Sequence, residues 1–260
     1  MCRHIAYLGA EVPVGELLLA PEHGLYRQSW APRRQRYGTV NADGFGVGWY
    51  APRDPTPARY RRAGPIWADP SFQDLARVVR TGALLAAVRD ATEPGADPEA
   101  ASAPFASDHW LFSHNGALDG WPRSVVPLAE ALPAAELLDL PARCDSALVW
   151  ALVRHRLRGT ERPGADGGAA LGEALAGTVA ELAAAAPGSR LNLLVTDGLS
   201  IAATAWGDTL WYLVDRPAGR TVVASEPYDD DTRWAEAPDR TLLTASRTDL
   251  VLTPLKELPP

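Results

Sequence analysis

Met1-Cys-Arg-His-Ile-Ala-Tyr-Leu8 opens the chain. From Cys2 onward polar and apolar residues alternate loosely, the period of a half-buried strand, and Gly9 is expected to end it. Working outward, further strands are expected at 45–50, 59–62, 84–89 and 110–114. After Arg190 short β-rich runs recur at 191–196, 201–205, 209–214, 221–224, 241–245 and 250–253. Between the two strand-rich ends lie helical patterns. A short one covers 14–20, one at 71–80 starts behind the N-cap-plus-proline pair Asp69-Pro70, and two at 145–158 and 168–185 are separated by a Gly/Pro-rich break. Sheet at both ends with helices between predicts one layered α+β unit over 1–260, in which strands from the two ends share sheets. No shift of composition marks a second domain. The segment 21–43 reads as a long loop with Pro, Arg and aromatic residues, a length that is usually functional.

The 260 residues are 47% hydrophobic and 22% charged, an ordinary globular balance. Twenty-five Lys and Arg against 32 Asp and Glu leave a net charge of −7, with a pI near 5.3. No basic run offers the counterion-releasing surface that nucleic acid needs, so it is not an expected partner. Nor is a membrane, because Glu173 and Glu181 break the Ala-rich stretch 168–186. Arg3 imitates the positive start of a signal peptide, but Glu11, Pro13 and Glu16 interrupt the apolar run such a signal requires. A cytoplasmic protein is expected; self-association is left open. Cys2 and Cys144 are expected as free thiols, Cys144 as a small packing residue. Cys2 differs by position: once Met1 is removed, a thiol and a free α-amine belong to one residue.

Four stretches hold the candidate chemistry: the opening Met-Cys-Arg-His, Asn41-Ala-Asp-Gly-Phe-Gly-Val-Gly-Trp-Tyr50, Ala87-Val-Arg-Asp-Ala-Thr92 and Phe112-Ser-His-Asn-Gly116. Each has an ordinary reading. Asn115-Gly116 after an apolar run is a hairpin signal. Gly44, Gly46 and Gly48 lack the G-x-G-x-x-G spacing and the following helix of a dinucleotide site. Arg89 alone reads as a surface or salt-bridged arginine, and Asp145 as a helix N-cap serving an N–H near Ala147 or Leu148. Cys2 and His4 face one way but lack two further spaced ligands, so neither a metal nor a cofactor is expected.

Taken in order, Cys2, Asn41-x-Asp43-Gly44-x-Gly46, Val88-Arg89-x-x-Thr92, Ser113-His114-Asn115-Gly116 and Asp145-Ser146 resemble the class II glutamine amidotransferases, a branch of the N-terminal-nucleophile hydrolases. The opening Met-Cys-Arg-His, Ala31-Pro-Arg-Arg-Gln35 and Cys144-Asp-Ser-Ala-Leu148 are similar to the ergothioneine-pathway branch of that family, whose members remove a γ-glutamyl group from a hercynylcysteine sulfoxide. The resemblance implies a four-layer αββα sandwich of two mainly antiparallel sheets flanked by helices. It also implies a mature chain starting at Cys2 and a small γ-glutamyl substrate cleaved through a Cys2 thioester. Its implied catalytic residues are Cys2, Asn115 and Gly116, with the α-amine as base (ordinary pKa about 7.7–8.0) and Asn115 and Gly116 as oxyanion donors. Arg89 would fork the substrate's α-carboxylate and Asp145 would take its α-ammonium. Thr92 and His114 would complete the glutamyl pocket, and Trp30 and Tyr37 of the long loop would meet a cationic leaving group. Ala87, Glu93 and Ala147 stand where many relatives carry His, His and Glu. An ammonia-supplying glutaminase and a non-catalytic binding protein on the same scaffold are the alternative readings.

Overall fold

The computed structural model describes residues 2–91, 97–158 and 167–255. In chain order its elements are β1 (Arg3–Pro13), α1 (Val14–Leu18), α2 (Leu25–Gln28), β2 (Phe45–Trp49), β3 (Ala58–Arg62), α3 (Pro70–Val78), β4 (Arg80–Val88), β5 (Phe105–Ser107), β6 (Trp110–Ala117), α4 (Val126–Glu130), α5 (Ala134–Leu138), α6 (Asp145–Leu157), α7 (Gly167–Ala185), β7 (Arg190–Thr196), β8 (Ile201–Ala205), β9 (Trp211–Asp215), β10 (Arg220–Ala224), β11 (Ala235–Glu236), β12 (Thr241–Ala245) and β13 (Leu250–Pro254). They form two antiparallel sheets, ordered β11-β9-β10-β1-β4-β2-β3 and β13-β12-β8-β7-β6-β5. β1 lies between β4 and β10, so the first strand is held by one from the chain's last quarter.

Side-chain parity separates the layers. Ile5 and Tyr7 turn outward to join Leu17, Leu18 and Phe72 beneath α1 and α3. Ala6 and Leu8 turn inward to meet Leu111, Leu194 and Ala203 of the other sheet. On the far side Phe112, Leu193 and Val195 pack under α6 and α7, Phe112 stacking on Trp150 with ring centroids 5.1 Å apart. The result is the αββα order, each sheet buried on both faces. No helix among the described residues is long and apolar enough to cross a membrane.

Asp69 caps α3 through Phe72 N–H at 3.1 Å, as its sequence position implies. Three details depart from expectation. Gly9 does not end β1, which runs on to Pro13 through a register shift between Leu8 and Val12; Gly9 leaves room for the Tyr7 ring, whose hydroxyl donates to Ala10 O. Asn115-Gly116 is not a hairpin turn either. Both lie inside β6, opposite Asn192 and Leu191 of β7. The 21–43 segment also contains α2, too short to carry a helical period.

Candidate active site

Cys2 precedes β1 at the mid-sheet position, and the register sets its neighbours. Arg3 pairs with Val88, so the chain leaving β4 carries Arg89 and Asp90 past Cys2. The end of β6 brings His114, Asn115 and Gly116 from the second sheet, and the start of α6 brings Asp145. A cleft of about 510 Å³ lies among them, lined by Cys2, Arg89, Asp90, His114, Gly116 and Asp145 among others.

The Asn41-x-Asp43-Gly44 motif holds the strand end that presents Arg89. Asp43 N–H donates to Arg89 O at 2.9 Å, Arg89 N–H to Gly44 O at 2.8 Å, and Ala91 N–H to the Asp43 carboxylate at 2.8 Å. Arg89 Nη1 also donates to Asp43 O at 3.1 Å. Asn41 is buried, its amide donating to Gln28 O and Gln35 Oε1. Gly44 has φ +133°, and a Cβ there would collide with Ser102 Oγ, so this position requires glycine.

The Cys2 nitrogen donates to Asn115 Oδ1 at 3.2 Å. Asn115 Nδ2 lies 3.3 Å from Asp208 Oδ2 and 3.5 Å from Ser225 Oγ. The side chain therefore addresses the nucleophile's nitrogen with its oxygen and directs its donors to Asp208 and Ser225, a duty the sequence did not announce. Burial raises the Cys2 thiol above its ordinary pKa, opposed in part by a hydrogen bond from Asp90 N–H and by the Arg89 charge. A thiol so placed is protonated at neutral pH and needs a base. Gly116 is required by its surroundings, since a Cβ would strike Arg190 O and the His114 ring.

His114 is buried, with Nε2 2.9 Å from Arg190 O and Nδ1 3.1 Å from Ser146 Oγ. Because a carbonyl only accepts, Nε2 carries a proton. Asp145 stands at the first position of α6 rather than at its N-cap, which is Cys144. Its Oδ1 accepts from Ser146 N–H at 2.7 Å and its Oδ2 from Leu118 N–H at 3.2 Å, tying the helix start to the chain leaving β6. Cys144 also lines the cleft, its thiol pushed up to about 11 mainly by burial.

Trp30 and Tyr37 are not brought to the cleft. Trp30 is packed edge-on against Tyr26 and Trp67, and Tyr37 lies under the Arg190 guanidinium at 4.3 Å. The aromatic residues on the cleft wall are instead Trp121 and Phe105, with Asp97 and Arg143 nearby on the same lining. Thr92 and Glu93 lie outside the described residues, as does Met1; Ala87 lines the cleft and Ala147 is buried in α6.

His4 is fully buried, Nδ1 3.2 Å from Ser113 Oγ, and burial with the Arg3 and His114 charges lowers its pKa to about 3. The unfolded chain binds this proton below about pH 6.5, whereas the folded one does not until about pH 3. Stability is therefore fully present above 6.5 and is lost as pH falls, by about 1.4 kcal/mol per unit. Urea unfolding of His4→Gln at pH 6.5 and 5.0 is expected to show a stability loss about 2 kcal/mol smaller than wild type. Equal losses would refute the neutral-histidine assignment.

The profile described as glutamine amidotransferases class-II matches residues 25–220. A γ-glutamyl-hercynylcysteine sulfoxide hydrolase of Mycobacterium tuberculosis (strain CDC 1551 / Oshkosh) is 44% identical over 98% of this chain and 97% of its own length. One of Mycolicibacterium smegmatis is 43% identical over 98% of this chain and 100% of its own. Among solved structures, a glutamine aminotransferase class-II domain protein from Silicibacter pomeroyi superposes with TM-score 0.67 at 23% identity, covering 98% of this chain and 99% of that one. Glutamine phosphoribosylpyrophosphate amidotransferase from B. subtilis has the same fold over 98% of this chain and 49% of its own, at TM-score 0.64 and 14% identity.

Proposed function

This chain belongs to the class II glutamine amidotransferase family, and from that premise we propose that it hydrolyses the γ-glutamyl amide of γ-glutamyl-hercynylcysteine sulfoxide, in the cytoplasm, as a single 1–260 domain whose working chain starts at Cys2. The observation that carries this reading is the Cys2 nitrogen held 3.2 Å from Asn115 Oδ1 beside a cleft walled by Arg89 and Asp145.

With Met1 removed, the Cys2 α-amine takes the thiol proton, and the thiolate attacks the δ-carbonyl carbon. The carbonyl π electrons move to oxygen, giving a tetrahedral oxyanion bordered by Gly116 N–H and the Asn115 amide. Asn115 Nδ2 makes two long hydrogen bonds, 3.3 Å to Asp208 and 3.5 Å to Ser225, so its donors can be shared with that oxyanion. Collapse breaks the C–N bond as the α-ammonium returns its proton to the departing nitrogen, leaving a γ-glutamyl thioester. Water adds with the same amine as base, and glutamate leaves. Arg89 pairs with the α-carboxylate and Asp145 with the α-ammonium; His114, through its bond to Ser146, steadies the helix start that carries Asp145.

The leaving group carries an imidazole, a carboxylate and a trimethylammonium. Trp121, with Asp97, offers this cation a face and a charge, and Arg143 offers the carboxylate a partner. Glutamate release from the sulfoxide should exceed release from glutamine by at least about tenfold in kcat/KM. Trp121→Ala should raise KM for the sulfoxide by about 2- to 30-fold and leave glutamine turnover nearly unchanged. A preference for glutamine in wild type would replace this reading with an ammonia-supplying one.

A further inference from the structure

We infer that the buried Arg3–Asp208 ion pair is a positioning device for the nucleophile, holding the Cys2 nitrogen, the Cys2 carbonyl and Asn115 in one closed circuit. The inference rests on the reading that the α-amine of Cys2 is the base. Both charged side chains are 0% exposed, with Arg3 Nη2 3.0 Å from Asp208 Oδ2. A buried ion pair is a costly way to fill space, and an apolar pair of similar volume is often no less stable. Its remaining bonds show a second use. Arg3 Nε donates to Cys2 O at 2.9 Å. Asp208 Oδ2 accepts from Asn115 Nδ2 at 3.3 Å, and Asn115 Oδ1 accepts from Cys2 N at 3.2 Å. The circuit thus begins and ends on Cys2, passing through β6 and the turn between β8 and β9.

That turn is itself fixed. Asn192, opposite Asn115 across the β6–β7 pair, donates to Asp208 O and Thr209 O, each at 3.1 Å, and accepts from Trp206 N–H at 2.9 Å. Asp208 Oδ1 accepts from Thr209 N–H at 2.8 Å, and Thr209 Oγ1 donates to Ser225 O at 2.8 Å. A first residue normally frays, because only one side of it is anchored. Here its nitrogen and its carbonyl are both tied to rigid strands, which sets the direction of the thiol relative to the amine.

The pair also balances charge. Arg3 stands beside an amine that must accept a proton, and Asp208 offsets its field. Among the described residues, the other groups around Cys2 are His4 on β1, which is neutral, His114 and Asn115 on β6, Arg89 and Asp90 after β4, Cys144 before α6, and Asp145 on α6. Losing the Asp208 charge leaves the Arg3 cation uncompensated and lowers the amine's proton affinity. Arg3→Lys keeps the charge and loses the fork that reaches two acceptors.

The test uses the mature full-length enzyme and glutamate release from a γ-glutamyl amide. Asp208→Asn is expected to lower kcat by roughly 100-fold with KM within about twofold of wild type, because the Arg89–Asp145 clamp is untouched. The acidic limb of its kcat/KM profile should move to lower pH. Arg3→Lys should lower kcat by about 10- to 100-fold at unchanged KM, with the limb in place. Should Asp208→Asn fail to fold, Arg3→Lys decides the matter alone. A kcat within twofold of wild type in a folded variant would overturn the inference. So would a loss carried equally by KM with an unmoved limb, the pattern of general distortion. A wild type that releases no glutamate refutes the underlying reading instead, which keeps the two failures distinct.

Discussion

Cys2→Ala is expected to lower glutamate release by roughly 10,000-fold or more, the scale seen when a covalent nucleophile is deleted. The chain's other cysteine, Cys144, has no α-amine of its own beside the thiol. Cys144 is on the same cleft, but burial pushes its thiol up to about 11. The Cys2 thiol is also raised by burial, so its reactivity depends on a base at its own nitrogen. Forcing retention of Met1 should therefore be as damaging as Cys2→Ala, because an amide nitrogen cannot accept the proton. Peptide mapping after treatment with a diazo-ketone analogue of glutamine checks both points: the adduct should sit on Cys2 and be absent from Cys144. Labelling at Cys144 alone would refute the assignment.

Arg89→Lys should raise KM for any γ-glutamyl substrate by about 10- to 100-fold, the value of a charged hydrogen bond, with a smaller change in kcat. Lysine preserves charge but not the planar fork that meets two carboxylate oxygens. Asp43 O would also lose its donor, so the backbone bonds between 43–44 and 89 are the safeguard that the strand end stays in place. Asp145→Asn should raise KM comparably. Its oxygens accept from both Leu118 N–H and Ser146 N–H, so asparagine loses the charge and one of those acceptors together. Kinetics unchanged from wild type in Arg89→Lys would show that the carboxylate is held elsewhere.

The sequence carried the layers because period-2 and period-3.6 patterns are local, and most strands and both long helices lie within a few residues of where alternation and the caps put them. Motif order points to Cys2, Arg89, His114, Gly116 and Asp145, which line the cleft, and to Asn115, which is buried behind it and bonded to the Cys2 nitrogen. What failed was long-range. Arg3 imitates a signal-peptide charge in the sequence, and nothing there singles out Asp208, because no local pattern joins positions 205 apart. Asn115-Gly116 carried a strong turn signal, yet the ties to Cys2 and the crowding by Arg190 keep both in a strand. Trp30 and Tyr37 have the chemical type a cationic leaving group needs, but packing against Trp67 and Arg190 uses those rings elsewhere. Trp121 could not be found by pattern, since its place on the cleft depends on how the segment after β6 folds back.

The central claim is a γ-glutamyl thioester on an N-terminal cysteine, and acid-quenched intact mass with peptide mapping during turnover tests it most directly. The expected result is a chain that begins at Cys2 and gains the mass of one glutamyl group on its first peptide, discharged when substrate is exhausted. Full turnover by a chain that retains Met1, or an acyl group mapped to Cys144, would contradict it.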